Sequence, residues 1–425
     1  MFTRRKAMGL MASSVLLVSS ARADSSIILR KSVNSLAADS PEMNALRSAI
    51  PAMQQSGFWD RLVAIHSRNW HQHHNWLFLP WHRAFLHQFE MEVRRVSYDD
   101  FRMPYLDWEA DRIPAMLYDP PFAHDGRSHG PSDSMRDFQG TGGWFRQGAP
   151  RPFYDFFGRP GFGGDDESYG HNLVHIFVGG DMGNIQAAPR DPLFWFHHSN
   201  VDRLWWYWDQ QYGCSSANCY PADWQEEFIH GIEDSSGNAL QPIPVASLLS
   251  NRSMGYDYPP LPILVMAAPP QGMSQRALIP RAAFTRKLRL LSNPTPSTTI
   301  SLPRDLLMTL LTASKADVDA PLLVRSNGSA PHEIRIAVVG HKALKEDRIF
   351  AMPMGDGMGT SSYVKNIGDM LGSLAQNLSA GAARARLENE PVSLRVEALA
   401  LGAIGQGAPP ELTECTCEIT AKTWS

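Results

Sequence analysis

Histidine is the residue whose distribution along this chain points most directly to chemistry. The chain of 425 residues contains fifteen histidines, and ten of them lie in two short windows, 66–87 and 171–198. A single histidine on an apolar face is usually a hydrogen-bonded core residue, but two windows that each supply three suitably spaced imidazoles are hard to explain by packing. Imidazole nitrogen is a common ligand of transition metals. The distribution therefore predicts two metal sites.

The spacing of the histidines within the windows supports this prediction. His171 and His175 are four residues apart, so on a helix they project from one face, one turn apart. His198 falls on the next predicted helix and could complete a site of three imidazoles. In the first window His66 and His82 fall on two predicted helices, with His73 in the loop between them. The chain thus offers two groups of three imidazoles.

The chemistry of this donor set restricts the choice of metal. Six neutral nitrogen ligands suit copper better than magnesium or calcium, which prefer oxygen, or structural zinc, which usually recruits cysteine. A pair of hydrolytic metal ions usually needs a bridging carboxylate, and neither group of three histidines includes one. Periodicity alone leaves zinc and iron open.

Apolar residues at helical spacing predict four helices that carry the histidines. These helices are expected at 58–69, from Pro80 through Val93, around 171–177, and from an Asp191 cap with Pro192 to Tyr207. Four helices around one site form a bundle, in which facing helices build metal sites. We therefore expect a mainly α catalytic domain over 24–258, in which a four-helix bundle holds the metals.

The chain changes character after about residue 258. Aromatic residues become rare, and the proline-rich segment 259–283 cannot continue a helix or a central strand, which predicts a linker. Strand-like runs follow at 287–291, 333–339, 392–399 and 417–419. We expect a smaller β-sandwich-like domain over 284–425.

The first 23 residues are typical of an export signal. Arg4 and Arg5 precede an apolar stretch at 7–18, and residues 21–23 offer a cleavage site of the form Ala-Arg-Ala. The arginine pair predicts the twin-arginine pathway and a periplasmic or secreted protein, although a general secretory signal stays open. The apolar stretch is too short for a membrane anchor.

Charge and cysteine content exclude other classes of protein. The formal net charge of -4 and the pI near 6.4 provide no basic surplus for nucleic acid. Four cysteines cannot support a dense disulfide framework, but Cys214 and Cys219 are spaced to close a small loop in an oxidising compartment. We expect a small-molecule ligand.

Two long segments resemble the copper signatures of tyrosinases and catechol oxidases. They are NWLFLPWHR at 75–83 and DPLFWFHHSNVDRLW at 191–205. The resemblance covers about 40–258 and ends at 256–258, Tyr-Asp-Tyr, which is similar to the paired-tyrosine motif of that family. It implies a bacterial polyphenol oxidase with a type-3 pair of copper ions, ligated by His66, His73 and His82 on one side and by His171, His175 and His198 on the other.

The resemblance also implies a reaction. Family members use O2 to oxidise catechols to o-quinones, and some first hydroxylate monophenols. In the family a glutamate and an asparagine near the second copper orient a water that accepts the phenol proton. Glu167 and Asn172 match these two positions. An o-aminophenol oxidase, or a haemocyanin-like protein that binds oxygen without turnover, is the alternative.

Four further residues are expected around the substrate and the ligands. His197 would line the entrance, and Phe194 could stack on the His198 imidazole or on the substrate ring. Ile185 takes the place where many plant enzymes carry a phenylalanine, which suggests a more open pocket. Asp202, one helical turn after His198, is expected to orient a ligand histidine.

The β-rich domain resembles, more weakly, a shielding domain that plugs the active site in several family members. Its thiols Cys415 and Cys417 lie on one face of a strand and could hand over Cu(I), with Met352, Met354 and Met358 nearby in sequence. An ordinary strand with buried cysteines is the alternative. No cysteine precedes Cys214, so the cysteine–histidine thioether of plant and fungal members cannot form.

Overall fold

The structure is a computed structural model. It describes residues 27–135, 153–212, 219–259, 282–290, 293–307, 318–328, 331–339, 345–352, 361–368, 370–371, 392–401 and 410–423. The expected signal peptide and nearly all of the expected linker lie outside the described residues. Within them, no helix has the length and apolar character needed to cross a membrane.

The N-terminal part is helical around one core. Its helices are α1 Pro41–Gln55, α2 Phe58–Arg68, α3 Phe78–Val96, α4 Phe153–Phe156, α5 Asn172–Val178, α6 Leu193–Tyr212 and α7 Ala222–Gln225. One π-helical turn, Asp166–His171, leads directly into α5. The helices α2, α3 and α6, and this turn with α5, correspond to the four that the sequence predicts.

Local chemistry explains where these helices begin. The Ser40 hydroxyl accepts a hydrogen bond from the Met43 N–H at 3.4 Å and caps α1. The sequence predicts that Pro80 begins this helix, but in the structure α3 begins at Phe78 and Pro80 is its third residue. The first turn tolerates it because N–H groups there have no acceptor within the helix. The Asp191 carboxylate accepts the Leu193 N–H at 2.8 Å, so α6 begins there.

Aromatic side chains hold α3 against α6. Trp195 of α6 stacks on Phe89 of α3 with ring centroids 4.0 Å apart. Trp81 and Trp205 are completely buried in the same core. Burial of such large apolar surfaces is the main force that joins these helices. It brings the histidine-bearing faces of α3 and α6 opposite each other.

The strands of the N-terminal part are short. They are β1 Ile28–Leu29, β2 Gly158–Arg159, β3 Phe162–Gly163, β4 Phe228–Ile229, β5 Ile243–Pro244 and β6 Tyr256–Asp257. β1 pairs in parallel with β6, and this pairing ties the beginning of the described chain to the Tyr-Asp-Tyr segment.

The C-terminal part consists of two packed sheets, as the sequence predicts. Its strands are β7 Ala282–Arg289, β8 Ser297–Ser301, β9 Val318–Asp319, β10 Pro321–Asn327, β11 His332–Val339, β12 Lys345–Ala351, β13 Ser361–Asn366, β14 Ser393–Ala400 and β15 Glu411–Thr423. One sheet has the order β13-β10-β15-β7 with β9 beside β15, and the other has the order β12-β11-β14-β8. Alternate residues of both sheets, such as Val324 and Ile336, share one apolar core.

Cys415 and Cys417 point into this core. Both are about 1% exposed, and burial raises the pKa of the Cys415 thiol to about 12 and that of Cys417 further. Copper(I) binds the thiolate, which burial disfavours. The arrangement therefore fits the ordinary buried strand better than the hand-over of copper. Cys219 is in a disulfide, while Cys214, Met354 and Met358 lie outside the described residues.

The two parts are joined by a shared sheet and a buried ion pair. β13 pairs in parallel with β3, with Tyr363 opposite Gly163. The Lys365 ammonium lies 2.9 Å from a carboxylate oxygen of Asp165 and 3.3 Å from one of Asp347. These contacts place β13 beside the segment that leads into the π-helical turn.

A buried charge network holds the N-terminal segment to α3 and α6. The Asp202 carboxylate accepts hydrogen bonds from Arg30 at 2.8 Å and Arg83 at 2.5 Å, and from the hydroxyls of Tyr256 at 2.8 Å and Tyr258 at 2.6 Å. Burial alone would raise the pKa of Asp202, but Arg83 and Arg30 lower it below its usual value. The Asp202 carboxylate is therefore negatively charged, and both of its oxygens accept hydrogen bonds.

We predict that Asp202→Asn lowers the free energy of unfolding by about 3–5 kcal/mol, because two buried guanidinium groups lose their shared counter-charge. Urea unfolding followed by tryptophan fluorescence would measure the loss. Asp181→Asn is the control, since Asp181 pairs with His124 at a partly exposed site and should cost about 1 kcal/mol or less. Equal losses in the two variants would contradict the network's role.

Candidate metal centre

The first group of histidines comes together from three consecutive segments. His66 lies near the end of α2, His82 in the first turns of α3, and His73 in the connection between the two helices. One nitrogen from each ring lies within 4.8 Å of the others, and the Nε2 atoms of His66 and His82 are 3.4 Å apart. Three nitrogens this close can share one metal ion.

Main-chain carbonyls orient two of these rings. His82 Nδ1 lies 2.9 Å from the Phe78 carbonyl oxygen, and His73 Nδ1 lies 3.3 Å from that of Trp70. A carbonyl can only accept, so the ring proton is on Nδ1 and the lone pair is on Nε2. This is the arrangement that a metal-binding histidine requires.

The second group is built from the π-helical turn, α5 and α6. It contains His171, His175, His197 and His198, whose ligand atoms also lie within 4.8 Å of one another. His175 Nδ1 donates to the Met182 carbonyl oxygen at 2.7 Å, which leaves its Nε2 facing His198 Nε2 at 3.4 Å. The sequence analysis did not expect the fourth histidine, His197, to belong to this group.

The two groups face each other inside the bundle. The His82 and His198 rings stack with centroids 4.3 Å apart and an interplanar angle of 14°, and the centroids of His73 and His171 are 6.0 Å apart. Each of the six expected ligands is at most 3% exposed. Two metal ions held by these groups would therefore be neighbours.

Burial keeps these imidazoles uncharged. Desolvation lowers the pKa of His82 to about 3 and that of His175 to about 4, and it holds the pKa of His66 and His171 well below the usual value. Neutral imidazole is the form that binds metal. Because the groups bring nitrogen alone, with no thiolate or carboxylate among their members, they fit copper.

Orphaned nitrogens provide a second test of this fit. His171 Nε2 is buried without a hydrogen-bond partner among the described residues, although its Nδ1 lies 2.9 Å from the Asn172 side-chain oxygen. A buried polar atom left unpaired is costly unless something binds it. A metal ion at this nitrogen would remove the cost.

Comparison with known proteins agrees with this geometry. Residues 56–157 and 136–211 match the family described as the common central domain of tyrosinase. A tyrosinase from Hahella sp. is 30% identical over 253 residues, which cover 49% of this chain and 50% of that protein. Residues 56–211 belong to the tyrosinase family. The two histidine groups are its type-3 dicopper site.

Solved structures extend the likeness in fold to both parts of the chain. Latent apple tyrosinase aligns with a TM-score of 0.65 and 19% identity, over 94% of this chain and 98% of that one. A functional unit of octopus haemocyanin aligns with a TM-score of 0.53 and 18% identity, over 93% and 100%. This chain nevertheless spans about half or less of the length of the curated relatives that it matches.

His197 and His198 occupy different places in the dicopper site. His198 faces the first group through its stack on His82, which agrees with the ligand role that the family resemblance gives it. His197 is completely buried and stacks on Trp108 and His171, each with centroids 5.2 Å apart. It does not line an open entrance in this structure.

Phe194 and Ile185 have different packing partners. The Phe194 ring lies 4.1 Å from that of His198 and 5.0 Å from that of His66, so it contacts both groups. Ile185 is 2% exposed and belongs to a cluster with Phe350 and Met352 of the C-terminal part. The expectation of a more open pocket beside Ile185 was wrong, because Phe350 and Met352 pack against this side chain.

Asp202 also departs from expectation. Its hydrogen bonds go to Arg30, Arg83 and two tyrosines, and none to a histidine is found among the described residues. The residue stabilises the helix that carries His198, but it does not orient a ligand ring.

Glu167 is held by a neighbour that the sequence did not single out. Its two carboxylate oxygens accept the His74 main-chain N–H at 2.7 and 2.9 Å. His74 has a φ of 56°, in the left-handed region that residues other than glycine rarely adopt. Burial holds the pKa of Glu167 well above its usual value, although the His74 N–H opposes this shift.

Asn172 is held by the C-terminal part. Its amide nitrogen donates to the Phe350 carbonyl oxygen at 2.7 Å and to the Tyr363 hydroxyl at 2.8 Å. No local pattern could have revealed these partners, because they lie 178 and 191 residues further along the chain. Glu167 and Asn172 thus both lie at the junction of the two parts.

We predict that His82→Ala lowers the copper content from two ions per chain towards one, because it removes a nitrogen that closes the first group. Elemental analysis of the purified protein would measure this. His87→Ala is the matched control: it lies on the same helix, but its side chain is 27% exposed and belongs to neither group. Equal copper loss in both variants would contradict the assignment.

Proposed function

We propose that this chain is a copper-dependent oxidase that uses O2 to convert o-diphenols to o-quinones. The observation that carries the proposal is the pair of facing groups of buried, neutral imidazoles. Bound copper would supply oxygen binding and electron transfer, while the surrounding protein excludes water and fixes the ligand nitrogens. The relatives named tyrosinase and polyphenol oxidase support this chemistry.

The same site could also act on monophenols. A phenol must lose its proton to bind a metal, and a base near the second group would help. Glu167, oriented by the His74 N–H, and Asn172, beside His171, are the residues that we propose to hold a water for this step. Their family positions and their shared location support these roles.

We further propose that the C-terminal part covers the entrance. Phe350 and Met352 pack with Leu173, Ile176 and Ile185, and all five side chains are at most 6% exposed. Leu173 and Ile176 lie one turn apart on α5, the helix that also carries the ligand His175. An apolar cover of this kind would keep a phenolic substrate away from the metal ions until it moves.

Two alternatives use the same site. An o-aminophenol oxidase would differ in its product. A reversible oxygen carrier is favoured by one observation, the cover over the site, and the octopus haemocyanin unit shares the fold. Turnover of a catechol decides between oxidase and carrier. Export by the twin-arginine pathway is a separate proposal that depends on the N-terminal sequence alone.

We predict that the copper-loaded full chain consumes O2 with 4-methylcatechol, and that limited proteolysis or mild detergent raises the rate at least about tenfold by displacing the cover. An oxygen electrode and quinone absorbance would measure the rate. His82→Ala, treated identically, is the control for unspecific copper chemistry. Reversible oxygen binding without oxidation, before and after treatment, would favour the carrier.

For the base, we predict that Glu167→Gln lowers the ratio of monophenol to catechol turnover about tenfold or more, because general base catalysis contributes roughly 10²–10⁴-fold to a proton-transfer step. Rates with 4-methylphenol and 4-methylcatechol after displacement of the cover would give the ratio. An unchanged ratio would remove Glu167 from the proton-transfer step.

A further inference from the structure

Every hydrogen-bonding group of the Asn172 side chain is in use in this structure. An asparagine amide has two N–H donors and one carbonyl oxygen. The oxygen lies 2.9 Å from His171 Nδ1, and the nitrogen donates to the Phe350 carbonyl at 2.7 Å and to the Tyr363 hydroxyl at 2.8 Å. Both donors are therefore committed to residues of the C-terminal part, and neither is left for a water beside the dicopper site.

The Tyr363 hydroxyl has a second partner, His74. Nδ1 of His74 accepts the Ser362 main-chain N–H at 3.2 Å. A main-chain N–H can only donate, so the proton of the neutral ring is on Nε2, which then donates to the Tyr363 hydroxyl at 3.0 Å. The pKa of His74 is lowered to about 3 by burial, which agrees with a neutral ring. The Tyr363 oxygen thus accepts from both His74 and Asn172.

His74 connects this hydroxyl to Glu167. Its main-chain N–H binds the Glu167 carboxylate at 2.7 Å, and its Nε2, which binds Tyr363, lies 3.8 Å from the same carboxylate. The phenol of Tyr363 therefore lies beside the two residues to which we assign the proton-accepting water. It is held there by the pairing of β13 with β3, which places Tyr363 opposite Gly163.

We propose that Tyr363 takes the place of this water and withholds Asn172 from the substrate, so that the docked C-terminal part blocks monophenol hydroxylation by hydrogen bonding as well as by covering the site. Tyr363 is then a positioning residue that acts through Asn172. The inference rests on the proposed function, since it concerns the same base. It differs from simple covering because it predicts an effect on one class of substrate.

Tyr363→Phe in the full chain tests the proposal, because it removes the hydroxyl and keeps a ring to pack on His74, whose centroid lies 4.7 Å away. A crystal structure of the variant should show a water bound to Asn172 Nδ2 near His74 Nε2. The ratio of monophenol to catechol turnover should rise about two- to tenfold, which is the range that one neutral hydrogen bond gives. The difference from the parent chain should vanish after the cover is displaced.

Lys365→Met is the matched control. It weakens docking of the same strand by removing the contact with Asp165 but leaves the Tyr363 hydroxyl in place. Because undocking also releases Asn172 from Tyr363, Lys365→Met should raise the catechol rate and move the ratio towards that of the displaced parent chain. Tyr363→Phe should instead raise the monophenol rate with little change in the catechol rate. If Tyr363→Phe behaves in the same way, or if no water binds Asn172 in its structure, the proposal is overturned. Failure of both chains to oxidise catechol after displacement would instead contradict the proposed function, while the crystal structure would still decide the role of Tyr363.

Discussion

Six imidazoles buried together in a neutral state are the constraint on which the rest of this structure depends. Each must present a lone pair to the space between the groups, so its other nitrogen has to be accommodated elsewhere. Carbonyls of Phe78, Trp70 and Met182 do this for three of the rings. The low dielectric of the aromatic core then lowers the pKa of the rings and keeps them unprotonated. The packing that buries these histidines therefore also keeps them in the neutral form that binds metal.

The same constraint explains why the charges lie where they do. α6 carries His198 and, one turn later, Asp202. The Asp202 carboxylate binds Arg30 and Arg83, and Glu90, which also binds Arg30, balances the second positive charge. An unpaired carboxylate near the ligands would raise their pKa and favour protonation over metal binding. Complete pairing of Asp202 therefore protects the site while it joins three segments distant in sequence. Asp202 thus supports the helix that carries a ligand histidine without binding that histidine itself.

Local spacing made much of this site predictable. The separation of His171 and His175 and the two copper signatures indicated the ligand groups, and the change in composition near residue 258 indicated a second, β-rich part. The exceptions have physical causes. The partners of Asp202 and Asn172 are far away in sequence, and the left-handed conformation of His74 leaves no trace in residue type. Ile185 looked like an opening because the side chains that fill the space, Phe350 and Met352, come from another part of the chain.

The junction between the two parts combines contacts of two kinds, and both bear on the covering role that we propose. Separation of its apolar contacts, such as that of Met352 with Ile185, costs free energy because it exposes apolar surface to water. Its polar contacts behave differently, because water can replace the Tyr363 hydroxyl and the Phe350 carbonyl at Asn172 with little loss of hydrogen bonding. Undocking therefore leaves Asn172 hydrated instead of unsatisfied. The side chain that the docked strand holds in a fixed state becomes, by the same exchange, a place where a water can bind beside the metal ligands.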